Sequence, residues 1–223
     1  MIKRIIVTCL AALALSSAHA APVTFTNTLY TVDAIALTDG DPSVESKASP
    51  PDDLTLFASA ASDGLTTDLA TAGAISGAGL LSASADVSAG GIASAVGSAS
   101  FIGSFTNSAP MVTLSIGFDA SSFASGTANS SASLFVELIS SGVTLYSDFV
   151  TGPWEFSYTP AAGTLASLQL TLTAESAAGV SALGLGNASA TGLATFAVSA
   201  VPEPSTYLLM LGGLALLARA RRR

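Results

Sequence analysis

Val112, Leu114, Ile116 and Phe118 alternate with Thr113, Ser115 and Gly117, a period of two that puts one kind of side chain on each face of an extended chain. The same alternation returns in Trp154, Phe156 and Tyr158 against Glu155, Ser157 and Thr159. It recurs in Leu168, Leu170, Leu172 and Ala174 against Gln169, Thr171, Thr173 and Glu175. These runs predict strands, and further strands are expected at 23–37, 54–61, 92–106, 132–140, 143–150 and 188–198. Turn signals such as Asn107-Ser-Ala-Pro110 and Ser141-Gly142 separate them. Many short strands with such turns predict an all-β ectodomain, an antiparallel β-sandwich with jelly-roll-like character.

The stretch from Ala58 to Ser100 is rich in alanine, the best helix former, yet glycines at 64, 73, 77, 79, 90, 91 and 97 interrupt any helix. Ala83, Ala85, Val87 and Ala89 alternate with Ser82, Ser84, Asp86 and Ser88, so small-residue strands are expected, with a helix or a flexible tract as the alternative. Residues 39–53, bearing Asp39, Asp41, Asp52, Asp53 and three prolines, are expected to form an exposed acidic loop between strands. No fixed-period repeat is evident.

Composition narrows the chemistry. The 223 residues are 50% hydrophobic and 10% charged, with a formal net charge of −8, which argues against a chain kept disordered by its charge and fits one domain. From Ala21 to Ala200 fourteen acids face a single cation, Lys47. Nucleic acid is therefore excluded as a partner, because binding it needs cations on phosphates. Cys9 and His19 are the one cysteine and the one histidine, and both fall in the first twenty residues. A body without them has no Ser/His or Cys/His nucleophile and no imidazole or thiolate metal site. No cofactor is expected.

Both ends read as addresses. Lys3 and Arg4 precede the apolar run Ile5–Leu15, and Ala18-His19-Ala20 fits small-x-small, so residues 1–20 are expected to be a signal peptide cut between Ala20 and Ala21 by signal peptidase after passage through the secretion translocon. As a helix the apolar run would reach only about 16 Å, short of the ~30 Å hydrocarbon core. At the other end Pro202-Glu203-Pro204 precedes an apolar segment, expected to be a hydrophobic helix over 205–218. A basic tail over 219–223 follows, with Arg219, Arg221, Arg222 and Arg223 as a stop-transfer cluster. The prolines block helix propagation upstream and hold Glu203 in an extended segment outside the bilayer.

Residues 201–223 resemble the PEP-CTERM sorting signal of Gram-negative bacteria that make extracellular polysaccharide. The resemblance implies recognition of Pro202, Glu203 and Pro204 by an exosortase, transient anchoring in the inner membrane, and release to the cell surface or the extracellular matrix. A rigid linker before a permanent anchor is the alternative.

Within the body, residues 21–200, Asp39, Asp41, Asp52 and Asp53 offer oxygen ligands for calcium, but no Asp-x-Asp-x-Asp-Gly loop is present and a solvated acidic loop is the favoured reading. Two carboxylates would suffice for a glycosidase, yet no pair stands out. Tyr146, Trp154 and Tyr158 are candidate sugar platforms, with Trp154 favoured as core. Fifty serines and threonines between Ala21 and Ala200 supply a hydroxyl-rich face or sites for O-glycosylation. The expected function is that of a secreted, non-enzymatic surface or exopolysaccharide-matrix protein with a structural or adhesive role. The alternative is a carbohydrate-binding module for an exopolysaccharide of the matrix.

Overall fold

Strand formation follows the alternation closely. In Thr164–Ala178 every second side chain from Ala166 to Ala178 is buried and the residues between face outward. The computed structural model describes residues 21–39, 42–49, 55–63, 68–107, 111–159, 163–179 and 186–201. Among these, the strands are β1 (Ala21–Pro22), β2 (Thr26–Leu37), β3 (Ser43–Ser49), β4 (Thr55–Asp63), β5 (Leu69–Gly77), β6 (Leu80–Ala89), β7 (Ala93–Asn107), β8 (Met111–Ser125), β9 (Ala128–Ser140), β10 (Val143–Val150), β11 (Trp154–Tyr158), β12 (Thr164–Ala178) and β13 (Gly186–Val201). The expected hydrophobic helix at 205–218 lies outside the described residues.

All pairings are antiparallel. One sheet runs β11-β8-β13-β6-β5-β4, with β1 added on β13, and the other runs β10-β9-β12-β7-β2-β3. The sheets stack strand over strand: β8 on β9, β13 on β12, β6 on β7, β5 on β2 and β4 on β3. The all-β sandwich is thereby present, and the Ala58–Ser100 stretch forms strands rather than a helix.

The sandwich is thick on one side and thin on the other. Around β8, β13, β9 and β12 the interior holds Leu114, Leu134, Leu138, Leu168, Leu170 and Leu172, all buried. Phe101 meets Phe25 and Phe196 there with ring centroids 5.0 and 4.6 Å apart. Around β4, β5, β6, β2 and β7 the buried positions are mostly alanine, with Gly97 among them. Ser76 Oγ donates to the Ser100 carbonyl and Ser176 Oγ to the Ala85 carbonyl, each at 2.7 Å and each across the sandwich. A seryl oxygen lies about 2.4 Å from its own Cα, so these bonds put the two backbones about 5–6 Å apart, against ~10 Å for ordinary stacked sheets.

The acidic loop expected at 39–53 is corrected in its middle. Ser43–Ser49 is a strand, β3, paired with β2 from Ala36↔Ser43 to Tyr30↔Ser49. Its outward residues Val44, Ser46 and Ala48 continue the outer face of β2, while Glu45 and Lys47 reach the edge of the opposite sheet. A short charged strand fits at an edge, where loop-like composition and pairing are compatible. Asp41, Asp52 and Asp53 lie outside the described residues.

Candidate functional site

β13 carries the chain to Val201, which pairs with Met111, and the next residue in sequence is Pro202. β1 lies on the same strand end, with Ala21↔Ala200 and Pro22↔Ser199 in register and Val23 N–H donating to the Val198 carbonyl at 2.9 Å. The residue expected to start the exported chain therefore sits beside the strand that leads into the sorting motif. Ala20, Pro202, Glu203, Pro204, Arg219, Arg221, Arg222 and Arg223 lie outside the described residues.

The aromatic residues singled out from sequence come together, but as packing. Tyr146 on β10 and Trp154 on β11 have ring centroids 4.4 Å apart. Trp154 stacks on Phe156 at 5.6 Å and 2°, and Phe156 lies 6.3 Å from Tyr158. All four are partly buried against the core and close the sandwich between β10 and β11. Burial pushes the Tyr158 phenol up, and its hydroxyl has no partner among the described residues. Burial, and then the Asp148 charge, push the Tyr146 phenol up. A ring whose face is taken by another ring is not free to hold a sugar, and the core reading of Trp154 stands.

The outer face of the β11-to-β4 sheet carries two shallow hollows. The larger, about 500 Å³, lies over β11, β8 and β13, with Ser115, Gly117, Glu155 and Thr195 at its surface. Gly117 lets Thr195 approach closely at its floor, since a Cβ there would lie 2.8 Å from Thr195 Oγ1. Glu155 is the only ionisable residue lining it, whereas glycoside hydrolysis uses two carboxylates.

The second hollow, about 230 Å³, is lined by residues of β5, β6, β13 and β8. One cross-strand row runs through it: Thr71 pairs with Asp86, Asp86 with Ser189, and Ser189 with Phe123. The neighbouring row supplies Ser88 and Asn187. Phe123 is 62% exposed, an aromatic ring standing free beside an acid, an amide and three hydroxyls. Sequence reading missed it because the expected strand ended at Phe118, whereas β8 continues to Ser125. The polar-apolar-polar run Ser121, Phe123, Ser125 was the available signal.

Two acids act on the scaffold. Asp68 is buried and its Oδ1 accepts from Gly90 N–H at 2.8 Å and Gly91 N–H at 3.2 Å, tying the start of β5 to the β6–β7 turn. A Cβ at Gly91 would lie 2.4 Å from Asp68 Oδ2. Glu45 binds Lys47 at 2.7 Å and accepts from Ser59 N–H at 2.6 Å, while Lys47 donates to the Phe57 carbonyl at 2.9 Å. These contacts occupy outward backbone groups of edge strand β4, and they hold the Glu45 carboxyl below its ordinary range. Among the described residues no three of His, Cys, Asp and Glu gather as metal ligands.

A search of curated proteins finds no match to the chain. Residues 200–223, from the end of β13 onward, match the PEP-CTERM protein-sorting motif, which supports exosortase-dependent sorting of the chain to the cell surface or matrix.

Proposed function

We propose that the protein is a secreted, non-enzymatic component of the cell surface or exopolysaccharide matrix, with a structural or adhesive role. The observation that carries the reading is the PEP-CTERM match at residues 200–223, which marks the chain for export, C-terminal membrane anchoring and processing by exosortase. In this reading residues 1–20 are the signal peptide and Ala21 begins the exported form. A sandwich with a single carboxylate in its larger hollow suits a scaffold better than a catalyst. The test is mass spectrometry of both termini, on protein taken separately from the envelope and the surrounding matrix. A start at Ala21 and an end near Pro202–Ser205 in the matrix fraction is expected. Arg223 retained in all the protein, confined to the envelope, would make the tail a permanent anchor and overturn the reading.

A second reading is favoured by the Phe123 hollow. Exposed Phe123, with Asp86, Asn187 and Ser189, offers a stacking surface and hydrogen-bond partners for a neutral polysaccharide, while the acidic body disfavours a polyanionic one. Affinity electrophoresis through gels containing neutral glucans separates this from a purely structural role. Retardation abolished by Phe123→Ala is the expected outcome for binding, and none in any gel would leave the structural role alone.

A further inference from the structure

We infer that the end of the sandwich from which β13 leaves is a membrane-facing surface that rests on the lipid headgroups while the sorting tail is inserted. The inference rests on the sorting reading above and adds the surface and its partner.

Three observations point to a bilayer. First, there is almost no linker. Val201 is still paired in β13, and only Pro202–Thr206 separate it from the apolar segment that starts at Tyr207. Fully extended, that chain reaches about 20 Å, and the headgroup layer takes up about 6 Å of it. The domain end is thus held within a Debye length or two of the lipid charge, which is about 8 Å at physiological ionic strength.

Second, the strand ends that make this surface are themselves uncharged, although the body carries fourteen acids. No Asp, Glu, Lys or Arg occurs in 21–25, 104–114, 140–145, 156–168 or 196–201, the stretches that make the end or run into it. Register places them together: Ala21↔Ala200, Val201↔Met111, Tyr158↔Val112, Asn107↔Thr164 and Ser140↔Ala166. Acids collect toward the opposite end, at Asp39, Asp63 and Asp68. Asp52 and Asp53 lie outside the described residues. Among the described residues the acid nearest this end is Glu155, three residues before Tyr158, and Glu203 lies in the tether itself.

Third, this end exposes large apolar side chains among its hydroxyls. Val143 is 61%, Leu165 55% and Met111 38% exposed. Ser141 N–H donates to the Leu165 carbonyl at 3.1 Å, bringing the Val143 and Leu165 segments side by side. Exposed apolar side chains among hydroxyls suit the interface of a bilayer, where water and acyl chains meet. A soluble protein partner would need no tether of this length.

The test uses the full chain with Cys9→Ser, reconstituted in vesicles of phosphatidylcholine and phosphatidylglycerol at 3:1 that contain a headgroup-nitroxide lipid. Single fluorophores are attached through Val143→Cys at the proposed surface, Ile92→Cys at the opposite end, and Leu214→Cys in the tail. Circular dichroism confirms that each variant keeps its β signal. At least twofold quenching at positions 143 and 214, with none at 92, is the expected result. Quenching at 214 with equal signals at 143 and 92 would overturn the membrane-facing surface and leave the sorting reading standing. No quenching at 214 would show that the tail does not insert, and both readings would fall.

Discussion

Gly97 tests the thin half of the sandwich. It lies on β7 facing the opposite sheet, and a Cβ built there would sit 2.4 Å from the Gly73 carbonyl oxygen, 2.5 Å from that of Ser84 and 3.1 Å from Ser84 N. Cβ atoms essentially never come within 3.0 Å of such atoms, and these three belong to backbone that no rotamer change can move. For Gly97→Ala the sheets must part locally by about 0.6 Å or more, a gap that forfeits a quarter or more of the dispersion energy of nearby alanine contacts. Overpacking of this kind costs about 1–3 kcal/mol, and the backbone location argues for the upper value. Loss of glycine's freedom in the unfolded chain returns about 0.4–1 kcal/mol. A net loss of about 2 kcal/mol remains. With a urea dependence of about 2 kcal/mol per molar, the midpoint falls by about 1 M. Urea unfolding of residues 21–201, followed by the fluorescence of Trp154, measures it. Gly152→Ala is the control, because nothing lies within 4 Å of its added Cβ. A Gly97→Ala midpoint equal to that of the unsubstituted chain would refute the close approach of the sheets.

Trp154→Ala is expected to cost about 2–3 kcal/mol in the same assay, because it empties the stack between Tyr146 and Phe156; Phe123→Ala is expected to stay within about 0.5 kcal/mol. Ser176→Ala removes a buried cross-sheet hydrogen bond and leaves an alanine-lined gap, with an expected loss of about 1 kcal/mol in thermal unfolding. The folded-state value of Glu45 is lowered, first by its bond to Lys47 and then by that from Ser59, so its contribution is complete above the ordinary value of 4.5 and is lost as pH falls through the lowered one. Protonation then frees the β4 edge, and light scattering should show self-association rising below that pH; Glu45→Gln should associate already at neutral pH. Trypsin should cut the native exported chain only after Lys47, the one basic residue between Ala21 and Val201, and electrophoresis showing several fragments would contradict the removal of both termini.

The sequence alone determined the β character, most strand positions and the address at the C-terminus. Alternation is a local property, fixed by the two-residue repeat of an extended backbone, so Leu168, Leu170 and Leu172 reveal a buried face without any partner being known. The sorting motif is legible for a similar reason, since Pro-Glu-Pro, an apolar run and arginines act through their order along the chain. Strand β3 was hidden because its Glu, Lys and serines have loop composition, and pairing with β2 at an edge is what makes them extended. Which aromatic ring is free was also beyond the sequence. Trp154 lies in an alternating run and Phe123 beyond the end of one, and only the stacking of β10 against β11 takes up the face of the first, while the outer row of β8 leaves the second exposed. The thin half and the uncharged strand ends have the same origin. Gly97 meets Gly73 and Ser84, and Ala21 meets Ala200, through contacts between residues far apart in sequence, and such contacts exist only once the sheets have stacked and the strands have found their register.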